Sequence, residues 1–170
     1  SIADRTELYD GGEEKRRPWL WGLGFFCLIA AVDCIFLLAF FPGVMEYDSF
    51  QQMCQVLGDP YSNHHPWIHT MIMKLLWETG IALFHSENRA IALYVCFSMA
   101  LLALAIACMA GYLYSRGLKR RYLILLLLAY VLSPINGMYA INMWKDTPHG
   151  AICLIFTVLL AVLYDNLKVG

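Results

Sequence analysis

The sequence predicts an all-α, polytopic membrane protein with about four transmembrane helices and amphipathic juxtamembrane helices in its first external loop. Three observations carry that prediction. Hydrophobic residues make up 60% of the chain and charged residues 15%, against about 45–50% apolar content in a soluble domain, and the mean hydropathy is +0.57. Apolar runs recur at the length needed to cross a hydrocarbon core of about 30 Å at about 1.5 Å per residue. The cations cluster in short segments beside those runs and the formal net charge is -1, a pattern that argues against a nucleic-acid partner.

Residues 1–17 read as a cytoplasmic tail, because Lys15, Arg16 and Arg17 directly precede the first apolar run. That run, 19–41, is too long for a signal-peptide core and is not followed by a small-residue cleavage site, so it reads as a retained span. Asp33 lies near its middle. An ionised carboxylate there costs about 2.5–3.5 kcal/mol on insertion scales, so Asp33 should face the bundle and be paired or protonated.

Residues 42–89 form the first external loop. Its polar island, 46–66, contains no Lys or Arg although the chain has 12, the opposite of a cytoplasmic loop. Within it the pattern Asp48, Phe50, Met53, Cys54, Leu57, Gly58 predicts a short amphipathic helix that starts near Asp48 and stops at Gly58. The segment 67–84 repeats polar residues every fourth position at Thr70, Lys74 and Glu78. Ile68, Ile72, Leu75, Leu76 and Leu83 then turn largely to the other side, which is the pattern of an interfacial helix.

Three further spans are predicted at 90–114, 122–140 and 149–164, and 165–170 reads as a cytoplasmic end. Charge counting selects this topology. With 67–84 in the interface, Arg5, Lys15, Arg16, Arg17, Arg116, Lys119, Arg120, Arg121 and Lys168 fall inside and only Lys74, Arg89 and Lys145 outside, nine against three. The segment 142–149 then emerges on the same side as Asp48. The six cysteines form no Cys-x-x-Cys pair and read as small apolar residues. The chain begins without Met and stops just past an apolar segment, so a piece of a longer protein is expected.

Three groups of residues can carry chemistry. Asp48, at a helix N-terminus, is held ionised by free N–H groups and the helix dipole, and is a candidate base. His65 and His69 are spaced by four, as in metal-binding helices, although Pro66 between them marks the helix start, and His64 stands beside them. A divalent metal ion on Asp48, His65 and His69 therefore stays open, as does plain solvation of the imidazoles. Lys145 is suited to a phosphate and Asp146 to positioning a metal or an acceptor, although an interfacial Lys and a helix-capping Asp explain the pair equally well. Lys74 and Glu78 read as a structural pair.

The order of these features resembles the N-terminal module of the GT-C glycosyltransferases, nearest to the protein mannosyltransferase and aminoarabinose transferase type. The matching residues are Tyr47-Asp48-Ser49, Asn63-His64-His65-Pro66, Asn88-Arg89, Ser133-Pro134 and Lys145-Asp146, spread over 18–164. The resemblance implies transfer of a sugar from a polyprenyl-phosphate carrier to a glycan, lipid or protein acceptor on the extracytoplasmic face of the cell membrane, with inversion. It implies catalytic roles for Asp48 and Asp146, and carrier-phosphate binding by His64, His65, Lys145 and Arg89. The first loop has Asp48-Ser49 where the family carries an acidic pair, and Pro66-Trp67 where it carries a double Pro. The family's catalytic unit has more spans than this chain provides, so these residues are not expected to be active alone. Three other classes compete: a transporter or channel module using Asp33, a non-catalytic structural subunit, and a zinc-dependent hydrolase built on His64, His65, His69 and Asp48.

Overall fold

A computed structural model of the chain describes residues 17–62 and 64–169; Arg5, Lys15, Arg16 and Asn63 lie outside them, as does the tail apart from Arg17. The described residues fold into helices with no strand: α1 (Pro18–Ala39), α2 (Tyr47–Leu57), α3 (Trp67–Phe84), α4 (Glu87–Ser115), α5 (Arg120–Val131), α6 (Pro134–Ala140) and α7 (Asp146–Val169). Helices α1, α4 and α7 are long and apolar enough to cross a membrane, and α5 with α6 makes a fourth candidate if the bent pair counts as one span.

Helix α4 is the centre of the bundle, with α1, α3 and α7 packed against it. The reason lies in its composition. Its buried positions include Ala90, Ala103, Ala105, Ala107 and Ala110, and small residues let neighbouring backbones approach closely. Gly22 of α1 sits so near α4 that a Cβ there would lie 3.2 Å from the Ala107 carbonyl oxygen. The buried residues of α1 are Phe25, Ile29, Asp33 and Leu37, one every fourth position, so a single stripe is turned into the bundle, chiefly against α4. Asp33 lies in that stripe, as its cost in lipid requires.

Two of the predicted segments gain detail. The run 122–140 is not one continuous helix, because α5 and α6 meet at a 68° bend. Pro134 has no N–H to continue the α5 hydrogen bonds and forces Ser133 into an extended conformation (φ -89°, ψ 109°), so a new helix starts there. The helix that contains the last predicted span, about 149–164, begins at Asp146, which supplies the length that this segment lacked.

Helix α3 also differs in its facing. Thr70 and His69 are buried, while Ile68 and Leu75 are 69% and 63% exposed, so the predicted polar stripe does not lie on the open side along its whole length. Polar partners on α2 draw its first turn inward, and the displaced apolar residues are left on the outer surface. The helix is not among those apolar enough to cross.

Candidate functional site

The two polar segments predicted to share one surface are joined at the backbone. Val44 and Asn142 form an isolated parallel β-bridge, in which the Val44 N–H donates to the Ile141 carbonyl at 3.0 Å and the Met143 N–H donates to the Val44 carbonyl at 3.0 Å. Gly43 makes this approach possible. Its φ is +128°, and a Cβ there would meet the Val95 side chain at 2.6 Å and the Ile141 carbonyl oxygen at 3.0 Å. The Asn142 side-chain amide donates to Glu46 at 3.1 Å, fastening the same two segments next to α2.

Above this joint, Lys145 Nζ donates to Asp48 Oδ2 at 3.1 Å, closing a pair 97 residues apart in sequence. Asp48 lies in the first turn of α2, which has no side-chain cap, so its carboxylate serves the ion pair instead of capping the helix. The Lys145 hydrogen bond holds the Asp48 carboxyl below the usual carboxylate range, with smaller help from His65 and His64. Lys145 Nζ also lies 3.5 Å from His65 Nδ1, and His65 Nε2 lies 3.3 Å from Gln51 Oε1.

These contacts select a tautomer. The Gln51 amide nitrogen donates to the Tyr47 hydroxyl at 2.8 Å, which turns its oxygen toward His65. His65 then carries its proton on Nε2, donates to Gln51, and presents a bare Nδ1 to the ammonium. Burial, then the Lys145 charge, lowers the His65 pKa, and both favour this neutral form. An ammonium has three donors. Two are directed at Asp48 and His65, and the third is available to an anion.

His69 is placed elsewhere. Its Nδ1 lies 3.1 Å from Gln52 Oε1 and its Nε2 lies 2.6 Å from the Tyr94 hydroxyl, while Gln52 donates to Thr70 Oγ1 at 3.0 Å. Burial pushes its pKa down to about 4, with Lys145 the next cause. His65 and His69 do not share a helical face, because His65 precedes the first residue of α3. The proposed metal set of Asp48, His65 and His69 therefore does not fit: both His69 nitrogens are engaged, and an ammonium stands between Asp48 and His65. Among the described residues no three His, Cys, Asp or Glu side chains come together as metal ligands.

The remaining candidates are distributed around this centre. His64 is exposed and packs edge-on against His65, ring centroids 4.8 Å apart. Asp146 diverges from its neighbour Lys145 and lines a cavity of about 290 Å³ with Tyr130, Asn136, Tyr139 and Thr147. Arg89 lines a separate apolar hollow with Phe84, Leu93 and Cys96, and no hydrogen bond or ion pair links it to the other candidates among the described residues. Sequence reasoning assigned no role to Gln51 and Gln52 and passed over Tyr94 as part of an apolar run. The signal for the glutamines was present: amides at 51, 52 and 55 on one short helix need partners when that helix is buried. No known protein family, curated protein or solved structure matches the chain.

Proposed function

We propose that this chain is the N-terminal module of a GT-C-type membrane glycosyltransferase, which moves a sugar from a polyprenyl-phosphate carrier to an acceptor hydroxyl at the Asp48–Lys145 end of the bundle. The observation that carries the reading is the 3.1 Å contact of Lys145 with Asp48, which sets an ionised carboxylate and a partly open cation side by side next to apolar helices. A lipid-linked donor needs that placement, because its tail stays in the bilayer while its phosphate and sugar stand at the surface.

Each residue has a task in the displacement. The acceptor oxygen attacks the anomeric carbon, the bond from that carbon to the carrier phosphate breaks, and the configuration inverts. Lys145 offers its third N–H to the departing phosphate, and exposed His64 stands beside it. Asp48 bonds Lys145 through Oδ2, leaving Oδ1 to take the acceptor proton late in the transfer. His65 and Gln51 hold Lys145 in place. Asp146, on the neighbouring cavity, orients the acceptor.

In the full-length protein, Asp48→Asn is expected to slow consumption of polyprenyl-phosphate sugar by about 10²–10⁴-fold, the usual contribution of a general base. Undiminished turnover would remove Asp48 from the chemistry.

A further inference from the structure

The end of the bundle opposite Asp48 contains a groove that the transfer chemistry does not use. Helices α1 and α7 both pack against α4 but hardly touch each other, and the gap between them holds about 730 Å³. Ala107 and Gly111 of α4 form its floor, and Leu23 and Phe26 of α1 with Val158 and Val162 of α7 form its walls. No charged side chain lines it. Along α1 it extends from Pro18 to Phe26, about 12 Å at ~1.5 Å per residue, which is most of one leaflet of a ~30 Å hydrocarbon core.

The mouth of the groove lies at the helix ends and is charged. Pro18 and Ser115 both line it. Arg17 precedes Pro18 and is exposed, and Arg116 follows Ser115 with 54% of its side chain exposed. The two helix ends are held together at the backbone, since a Cβ on Gly111, one turn before Ser115, would lie 3.3 Å from the Pro18 carbonyl oxygen. The carboxylate at this end is Asp165 of α7, which accepts from Tyr112, lies 3.4 Å from Arg116 Nε and is 22% exposed. Among the described residues, two guanidinium groups thus meet one recessed carboxylate, and Lys119, Arg120 and Arg121 in the turn into α5 keep this end of the bundle cationic. Trp19 stands exposed at the same level, an amphipathic ring of the kind that collects at membrane interfaces.

We propose that this groove binds an anionic glycerophospholipid of the adjoining leaflet, with one acyl chain between α1 and α7 and the phosphate at Arg17 and Arg116. The apolar walls accept a hydrocarbon chain, whereas a polar ligand would find almost no partners along them. The mouth selects the headgroup. A guanidinium presents paired N–H donors that match phosphate oxygens, and basic pockets between membrane helices favour anionic headgroups over zwitterionic ones. The groove therefore recognises both halves of the same molecule, tail and charge, in the order in which a lipid standing in the leaflet presents them. The site lies at the other end of the bundle from Asp48 and Lys145 and does not depend on the transferase reading.

The test uses the full-length protein in phosphatidylcholine vesicles that carry a minor fraction of phosphatidylglycerol with a diazirine in its acyl chain. After irradiation the label is mapped on peptides, and diazirine-bearing phosphatidylcholine at the same fraction is the control. Labelling of 18–26 and 158–162 is expected to be about fivefold or more higher with phosphatidylglycerol, the effect of a single arginine near an anionic headgroup. Arg17→Gln combined with Arg116→Gln should abolish that preference. Cys108→Trp, which fills the groove from α4, should remove the label from these peptides with either lipid while exposed Leu125 on α5 stays labelled. Equal labelling by the two lipids, or a preference that survives the double substitution, would overturn the headgroup site. Groove peptides left unlabelled beside a labelled α5 would show that another helix or a second copy of the chain covers the groove, and label retained in Cys108→Trp would place the acyl chain elsewhere; either result ends the proposal. The wild-type comparison of the two lipids stands even where a substituted chain fails to fold.

Discussion

The two ends of the bundle are held by different chemistry. At the site end, α2, the first turn of α3 and the segment before α7 are connected by side-chain hydrogen bonds among Asp48, Lys145, His65, Gln51, Gln52, His69 and Tyr94. At the opposite end, α1 and α4 meet through glycine and alanine contacts around Phe25, Ile29, Ala103 and Leu123. There α7 is tied to α4 by Asp165, which accepts from the Tyr112 hydroxyl at 2.9 Å and lies 3.4 Å from Arg116 Nε. Directional contacts suit a place where segments far apart in sequence are held at a fixed distance. Close backbone packing suits helices in lipid, where burial of apolar surface offers little driving force.

That contrast can be broken, starting with the largest effect. His69 is neutral in the folded protein down to about pH 4, whereas its ordinary value is 6.5. The unfolded chain therefore takes up a proton first as pH falls, so stability declines between 6.5 and 4 and then levels off. The full loss is about 3 kcal/mol. Thermal unfolding between pH 7 and 4 should show this slope in the wild type and a flatter one in His69→Gln; equal slopes would show that another group sets it. Asp48 adds its own loss mainly around and below its ordinary value of 3.8, and His65, whose pKa is also lowered, leaves a residual slope in His69→Gln.

Gly22→Val tests the other end. Its Cβ would press on the Ala107 carbonyl, a backbone atom that cannot rotate away, and overpacking of this kind costs about 1–3 kcal/mol. The expected result is a lower unfolding midpoint with an unchanged pH slope. A change in the slope would mean that the two ends are coupled. The smallest effect belongs to Arg116→Ala. Arg116 is half exposed in its pair with Asp165, and such pairs contribute about 0.2–1 kcal/mol, so its midpoint should fall by less than that of Gly22→Val and fall less still in high salt.

Much of this arrangement is legible before folding. The apolar runs identify helices by length alone, Gly58 marks the end of α2, and the absence of cations from 46–66 sets that loop apart. The histidine spacing is limited by the proline that follows His65, as the sequence itself indicates. A separation of four places two side chains on one face only if both residues are helical, and Pro66 starts the helix after His65. Tyr94 was illegible because a tyrosine in an apolar run looks like any large core residue until a partner from another helix is seen.

Amino-acid order determined that this chain is helical, that three or four of its helices suit a membrane, and that its polar residues concentrate in two segments, because those properties follow from local hydrophobicity and periodicity. Tertiary structure decided which polar residues meet. Lys145 reaches Asp48 rather than solvent, His69 turns away from His65 toward Tyr94, and Asp33 is buried in the bundle, because each placement depends on how separate helices are offset and rotated against α4. That offset is set by small contacts such as Gly43 beneath Ile141 and Gly22 against Ala107, and no single segment contains both sides of them.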